Sequence, residues 1–192
     1  MNECRRWQDV KVSVPVMPDE IATARLVLRR QRVDDAAAYR EMWAERDPRV
    51  PPHRRIRPDG RPTIDDIAAQ IDAETHSPKV GLRTITRALE GDVIGYCGLL
   101  FDGQSVPGEP ELAYELLRRA HGSGFATEAA QAVVTWAADA GFERLWAGVR
   151  FWNLASRNVL DKLGFVETGR VIPSADFGDS LITSKALVKA GQ

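Results

Sequence analysis

The chain has 192 residues, with 26 Lys and Arg against 27 Asp and Glu, and a formal net charge of -1. Because domains usually have ~100–200 residues, this length predicts a single domain with one core. A hydrophobic fraction of 44% excludes a chain that is disordered throughout. The near-zero net charge argues against wholesale binding to nucleic acid or to an anionic membrane.

The numbers and spacing of cysteines and histidines, and the length of apolar runs, indicate the cellular compartment and whether a metal site is expected. Two cysteines, Cys4 and Cys97, cannot form a disulfide scaffold, which favours a reducing compartment. They and the three histidines (His53, His76 and His121) share no metal-ligand spacing, so no metal site is predicted. The first 20 residues contain no apolar h-region, so no targeting segment is expected, and no run approaches the ~20 apolar residues of a membrane span. A cytoplasmic protein without membrane or nucleic-acid partners is therefore expected.

The N-terminal part is expected to contain an arm and the first elements of the domain. Residues 1–20 are predicted to form a loose arm with a short strand at VKVSV, ahead of a domain that spans 21–192. The segment ATARLVLRR alternates between two kinds of side chain, which predicts a strand with one wetter face. A helix is expected to follow it and to be stopped by Pro48.

An Arg-rich loop interrupted by prolines occupies residues 46–62 (RDPRVPPHRRIRPDGRP). It could contact a substrate, another anion or nucleic acid, but a solvated mobile loop is favoured because charge runs are usually solvated. A second helix is predicted after it, with Thr63 as the N-cap and Asp66 at the N3 position. This pattern is close to that of a capping box. Two strands, GLRTITRA and DVIGYCGLLF, are expected next.

The C-terminal half predicts alternating strands and helices. A helix that follows RRAHGSGFAT is expected to run to about Ala140, because its apolar positions make one face. Asn153 is predicted as the N-cap of a further helix that is closed by Gly164. The order of elements indicates a mixed α/β or α+β sheet domain. The strands of this half are predicted at ELAYELL, RLWAGVRF, FVETGRVI and SLITSKAL.

Two glycines, Gly122 and Gly124, lie where a predicted strand turns into a helix. Glycine adopts positive φ at little cost and lets a ligand approach the backbone closely. The first amides of a helix lack internal partners and carry partial positive charge. A phosphate group bound there would satisfy both, with formal charge added by Arg118 and Arg119. A tight turn without any ligand is the alternative.

The loop differs from two other phosphate-binding patterns. The P-loop pattern Gly-x4-Gly-Lys-Ser/Thr is absent, and the Rossmann pattern Gly-x-Gly-x-x-Gly has Thr127 in place of its third glycine. The strand–loop–helix order still fits a dinucleotide site, with Glu143 ~20 residues further on as a ribose ligand. A Rossmann-type nucleotide-binding enzyme therefore stays open at this point.

The segment RRAHGSGFATEA resembles the acetyl-CoA loop of the GNAT N-acetyltransferases, Gln/Arg-x-x-Gly-x-Gly/Ala, matched here from Arg119 to Gly124. The segment NLASRNVLDKLGF is similar to the second signature of that family. TARLVLRRQRVDDAAAY looks like the start of the branch that includes ribosomal-protein N-terminal acetyltransferases. The resemblance covers roughly residues 22–188 and implies a single GNAT-like domain, with a mostly antiparallel central sheet flanked by helices.

The resemblance implies an N-acyltransferase that moves acetyl from acetyl-CoA to a primary amine by direct attack in a ternary complex. The acceptor would be a protein N-terminus or a small amine, and the enzyme a monomer or homodimer. A non-catalytic module that binds CoA is the alternative. In this family the loop amides hold the CoA diphosphate, and the preceding strand pairs with the pantetheine arm. The implied cofactor-binding residues are Leu116, Leu117, Arg118, Arg119, Gly122, Ser123, Gly124, Phe125, Ala126, Thr127, Asn153 and Ser156.

Two residues are implied as catalytic. Only a neutral amine attacks, yet an α-amine has a pKa of ~7.7–8.0 and lysine ~10.4, so a base or a water chain is expected. Glu111 occupies the position of the base in several family members, although Glu115, on the same predicted strand face, and water are alternatives. Ser156 occupies the position from which this branch hydrogen-bonds the departing CoA sulfur. The alternative is a serine that bonds its own helix.

Overall fold

The computed structural model describes residues 15–75, 81–101 and 109–188. The strand expected at VKVSV lies outside these residues. The described strands are β1 (Glu20–Ala22), β2 (Leu26–Arg30), β3 (Leu82–Arg87), β4 (Val93–Leu100), β5 (Glu111–Leu116), β6 (Arg144–Arg150), β7 (Val166–Ile172) and β8 (Ser180–Ala186). The described α-helices are α1 (Ala36–Glu45), α2 (Ile64–Thr75), α3 (Phe125–Asp139) and α4 (Leu154–Lys162).

The strands form one sheet in the order β1-β2-β3-β4-β5-β6-β8-β7. Every neighbouring pair is antiparallel except β5 and β6, which are parallel. This confirms the predicted single domain with a mixed, mostly antiparallel sheet. It also excludes the Rossmann alternative, which requires a mostly parallel, doubly wound sheet.

Two apolar clusters hold the helices on the sheet. In one, α3 and α4 pack against the strands. In the other, α1 and α2 pack around Leu117. The predicted apolar face of α3 is confirmed, since Ala129, Val133 and Ala137 are fully buried. No helix in the described parts of the chain is long and apolar enough to cross a membrane.

The local signals at the two N-terminal helices are partly confirmed. The amide of Asp66 donates to the Thr63 hydroxyl at 3.1 Å, and the amide of Thr63 donates to the Asp66 carboxylate at 2.8 Å. These two reciprocal hydrogen bonds form a capping box, which the Thr63–Asp66 spacing predicted approximately. Helix α1 ends at Glu45, three residues before Pro48, because the backbone of Arg46 is already extended.

Part of the expected loose arm is packed onto the domain. Met17 is fully buried in the core. The guanidinium of Arg83 donates to the carbonyls of Pro18 at 3.0 Å and Met17 at 2.7 Å. The packed structure therefore begins before residue 21, whereas an arm over residues 1–14 remains a prediction.

Candidate active site

The site lies where β5 and β6 diverge. These strands share one register pair, Glu111 opposite Trp146, and separate beyond it. On the other edge of β5, the amide of Leu117 donates to the carbonyl of Ile94 in β4 at 2.8 Å. Since successive residues of a strand direct their backbone groups to opposite edges, the N–H and C=O of Leu116 are directed into the gap. Of the residues expected to pair with pantetheine, Leu116 is therefore the one whose backbone faces this gap.

The other two residues of that predicted set are engaged elsewhere. Leu117 uses its amide on β4, and the amide of Arg118 donates to the Glu45 carboxylate at 2.7 Å. The carbonyl of Leu116 itself accepts from the ring Nε2 of His121 at 2.9 Å. A ligand that pairs with Leu116 therefore has to share this carbonyl with His121 or displace the ring.

The glycine loop has the backbone conformation that the sequence predicts. Gly122 and Gly124 adopt positive φ angles of 75° and 81°, and Gly124 is the N-cap of α3. Both glycines and the intervening Ser123 are exposed. The first amides of α3 have no partners one turn earlier in the helix, so they are available to an anion at the loop.

A contact that the sequence analysis missed ties this loop to the β1–β2 turn. Arg25 donates through Nη1 to the Ser123 carbonyl at 3.0 Å and through Nε to the Glu128 carboxylate at 2.7 Å. Its guanidinium also lies 4.6 Å from the centre of the Phe125 ring. Thr23 donates its hydroxyl to Glu128 at 2.7 Å. Arg25 thus holds the loop carbonyl and the first turn of α3 together.

Glu128 is an ionised anchor for this contact. Burial by itself would raise the pKa of the Glu128 carboxyl, but the hydrogen bonds from Thr23 and from Arg25 outweigh it and lower that pKa. Each side of the contact lies in a segment that the sequence singled out, since Thr23 and Arg25 belong to TARLVLRR and Glu128 belongs to RRAHGSGFATEA. The pairing itself joins residues 103 positions apart, so the pattern of each motif did not reveal it.

The cationic side chains beside the loop are paired with other groups. Arg119 forms an ion pair with Glu41 at 2.7 Å and also donates to the Val93 carbonyl at 3.0 Å. Arg118 donates through its guanidinium to the carbonyl of Glu45. Both guanidinium groups were expected to lie beside a bound phosphate, but in this structure they point towards α1. Their role as cofactor ligands remains a prediction.

Ser156 is paired with a residue that the sequence analysis did not select. The amide of Ser156 donates to Asn153 Oδ1 at 3.1 Å, which confirms Asn153 as the N-cap of α4. The Tyr114 hydroxyl lies 2.8 Å from Ser156 Oγ and donates to the Ser156 carbonyl at 3.1 Å. Burial raises the pKa of Tyr114 to about 12, so this hydroxyl keeps its proton at neutral pH. Tyr114 shares one face of β5 with Leu112 and Leu116, because every second residue of a strand lies on the same face. This spacing was the sequence signal that Tyr114 lies on the face covered by α4.

The two glutamates of β5 have different environments. Glu115 accepts from Arg46 at 2.7 and 2.5 Å and from the Tyr96 hydroxyl at 2.9 Å. Arg46 is only 8% exposed, so this ion pair is largely shielded from water. Glu111 accepts from the amide of Gly148 in β6 at 3.3 Å, so its carboxylate lies where the strands begin to separate. Glu115 is committed to Arg46, whereas Glu111 lies at the gap.

The first part of the Arg-rich loop is anchored at Arg46 and Arg49, whereas most arginines of the loop are exposed to solvent, as a charge run predicts. Arg46 binds Glu115 and also donates to the Arg54 carbonyl at 2.8 Å. Arg49 places its guanidinium 4.1 Å from the centre of the Trp152 ring. The sequence did not reveal these two contacts because the Glu115 carboxylate and the Trp152 ring lie far from the loop in sequence. The loop consequently joins β5 to the turn before α4.

Comparisons with known proteins agree with this geometry. Residues 25–166 match the family model of the acetyltransferase (GNAT) domain. A curated relative, the uncharacterized N-acetyltransferase p20 of Bacillus licheniformis, is 29% identical over 155 residues. That alignment covers 79% of this chain and 84% of the relative.

Solved structures show the same fold. A putative GnaT-family acetyltransferase from Bordetella pertussis has a TM-score of 0.69 and 23% identity, covering 88% of this chain and all of that one. RimL, named as a ribosomal-protein alpha-N acetyltransferase and solved in complex with coenzyme A, has a TM-score of 0.67 and 14% identity. That match covers 92% of this chain and 100% of RimL. Since the family model spans most of the chain, the protein belongs to the GNAT acetyltransferase family.

Proposed function

We propose that this protein is an acetyl-CoA-dependent N-acetyltransferase that acts on a primary amine by direct attack in a ternary complex. The observation that carries the proposal is the arrangement of three features along one gap. The exposed glycine loop lies at the start of α3, the backbone of Leu116 faces the gap, and the Tyr114–Ser156 hydroxyl pair joins β5 to α4. Family membership and the coenzyme A complex of RimL support the same assignment.

The loop has room for the coenzyme diphosphate. A Cβ built on Gly122 would meet no heavy atom within 4 Å, and one on Gly124 would meet only the Arg25 guanidinium, at 3.5 Å. The amides from Gly122 to Ala126 would hold the diphosphate, and Leu116 would pair with the pantetheine arm. When bound, acetyl-CoA supplies an acetyl group activated as a thioester.

Different residues of the gap handle the two proton transfers of the reaction, one from the amine and one to the sulfur. The acceptor nitrogen bonds to the acetyl carbon, the carbon–sulfur bond breaks, and the nitrogen gives up a proton. Glu111 takes that proton, directly or through a water, because Glu115 is held by Arg46. Ser156 donates its hydroxyl hydrogen to the departing sulfur and is reprotonated from the solvent, to which Glu111 returns the amine proton, so that both side chains end as they began. For this step the single Tyr114 hydrogen turns from the Ser156 carbonyl to Ser156 Oγ, 2.8 Å away, which leaves the serine hydrogen free to point into the gap.

The test is thiol release from acetyl-CoA with a panel of peptides and small amines, together with calorimetry of coenzyme A binding. Amine-dependent release supports the proposal, and absence of coenzyme binding overturns it. Binding without turnover on any acceptor would instead favour the non-catalytic CoA-binding module. The proposal includes action in the cytoplasm, as a monomer or homodimer, without nucleic-acid or membrane partners.

Ser156→Ala should lower kcat about tenfold while changing the coenzyme Kd less than about twofold. The effect is modest for an acid catalyst because a thiol of pKa ~8.5 is already a fair leaving group. Tyr114→Phe should lower kcat less, and the double variant should match Ser156→Ala, since Tyr114 acts through the serine. Steady-state kinetics with Thr135→Ala, an exposed hydroxyl on α3, is the control. Equal losses in kcat and in coenzyme affinity, or additive single effects, would contradict the acid role.

Arg25→Met should weaken coenzyme A binding about tenfold, or ~1.4 kcal/mol, with the acceptor KM unchanged. Methionine keeps an apolar stem over Phe125 but removes the guanidinium donors to Ser123 and Glu128, while the amide of residue 25 and the Thr23 hydroxyl still donate to Glu128. Arg157→Met, which breaks the exposed ion pair with Glu167, is the matched control. A parallel rise in the acceptor KM would show general damage and not loss of loop positioning.

A further inference from the structure

The Arg-rich loop contains six arginines between positions 46 and 62, and the structure separates them into two groups. Four have a carboxylate partner within the chain. These ion pairs are Arg46–Glu115, Arg49–Asp47, Arg57–Asp59 and Arg61–Asp66. The remaining two, Arg54 and Arg55, are adjacent in sequence and form no ion pair with any residue in the described ranges.

Arg55 also carries an orphaned donor. Its Nε is buried and has no hydrogen-bond partner among the residues that the structure describes. A buried donor that is left unpaired destabilises the folded protein, and more so when it belongs to a charged group. A guanidinium pairs best with a planar or tetrahedral anion, through two parallel N–H bonds to a carboxylate or phosphate. Since Arg55 as a whole is half-buried and Arg54 is exposed, an external anion at their guanidinium groups would supply the counter-charge that the described residues do not.

The position of the pair connects it to the gap. A single guanidinium, that of Arg46, binds both the Arg54 carbonyl and the Glu115 carboxylate on β5. Burial raises the pKa of the Tyr96 hydroxyl, and the positive charges of Arg46 and Arg54 oppose that rise. The charge of Arg54 is therefore felt at a hydroxyl that donates to Glu115. The loop reaches the turn before α4 through Arg49. Arg54 and Arg55 thus lie on the segment that spans from β5 to the turn before α4.

We propose that Arg54 and Arg55 bind an anionic group, carboxylate or phosphate, on the amine acceptor. This inference rests on the proposed acetyltransferase function and names the class of its acceptor. The acceptor then carries its negative charge at the Arg54–Arg55 pair and its amine at the gap between β5 and β6. The coenzyme makes no use of the pair.

The test compares matched acceptors that differ only in charge, at saturating acetyl-CoA. One pair is a peptide with Ser-Glu at its free N-terminus and the same peptide with Ser-Gln; the other is O-phosphoethanolamine and ethanolamine, which separates phosphate from carboxylate. The anionic member of at least one pair should have a kcat/KM at least about tenfold higher. The double variant R54Q/R55Q should abolish that preference and leave the neutral acceptor and the coenzyme Kd within about twofold.

The matched control is R57Q, which removes a loop arginine that already has Asp59 as its partner. It should keep the preference for the anionic acceptor. Equal kcat/KM for charged and neutral acceptors would overturn the inference, as would a double variant that loses both equally. A weaker coenzyme Kd in R54Q/R55Q would also overturn it, because the pair would then serve the coenzyme phosphates.

A binding measurement separates failure of this inference from failure of the proposed function. The protein saturated with coenzyme A is titrated with each member of both acceptor pairs, and the 15N-bound Hε signal of Arg55 is followed by NMR. A shift with an anionic member but not with its neutral counterpart supports the anion site even if no acetyl transfer occurs. The absence of such a shift in both pairs overturns the inference even if neutral amines are acetylated.

Discussion

Gly124→Glu is expected to weaken coenzyme A binding at least about a hundredfold, or ~2.7 kcal/mol, in a protein that still folds. Gly124 has a φ of 81°, which L residues rarely adopt, so any side chain strains the loop. Its Cβ would lie 3.5 Å from the Arg25 guanidinium, at the start of α3. A carboxylate there would take the helix amides for itself and repel a diphosphate. Isothermal titration calorimetry with coenzyme A measures the loss.

Gly141→Glu provides the matched control for this variant. Gly141 follows the other end of α3 with a φ of 90°, and a Cβ there would meet no atom within 4 Å. The control therefore has the same kind of backbone strain and the same added charge, but it lies away from the loop. It should keep the coenzyme affinity of the parent protein. Binding by Gly124→Glu within about threefold of that affinity would refute the loop assignment.

The features that sequence patterns identified are local. The two loop glycines, the Asn153 cap and the Thr63 capping box each depend on residues within a few positions of one another. Their geometry follows from backbone conformation and from the unpaired amides at helix starts. For this reason the glycine loop at the start of α3 could be predicted from the sequence alone.

The features that the patterns missed join distant segments. Tyr114 and Ser156 are 42 positions apart, and Arg46 and Glu115 are 69 apart. A single sequence shows that a residue is polar and which face of a strand it takes, but not which partner the sheet topology brings to it. The divergence of β5 from β6 creates the site, and it depends on a crossover through α3 that no local pattern specifies.

Asp35→Asn is expected to lower the free energy of unfolding by about 3–5 kcal/mol, a large share of the roughly 5–15 kcal/mol typical of a domain. Asp35 is 3% exposed and binds both terminal nitrogens of Arg29, at 2.9 and 2.7 Å. It also accepts from the Thr84 hydroxyl at 2.7 Å, and Thr84 in turn contacts the Tyr39 hydroxyl at 2.8 Å. An amide would turn an NH2 group towards these donors and leave Arg29 without its counter-charge. Urea unfolding at neutral pH measures the loss.

The pH dependence of unfolding gives this prediction a second readout. Burial by itself would raise the pKa of the Asp35 carboxyl, but hydrogen bonds from Arg29, Thr84 and the Arg32 amide outweigh it, so the pKa is lowered. A lowered pKa means that the stabilisation is complete above the unfolded value of ~3.9 and is lost as the pH falls towards the folded value. The parent protein should therefore lose stability below about pH 4 more steeply than Asp35→Asn does. Asp139→Asn, an exposed carboxylate at the end of α3, should change neither the stability nor the slope by as much as 1 kcal/mol. A loss in Asp35→Asn no larger than in that control would mean that α1 is held by its apolar contacts and not by the buried ion pair.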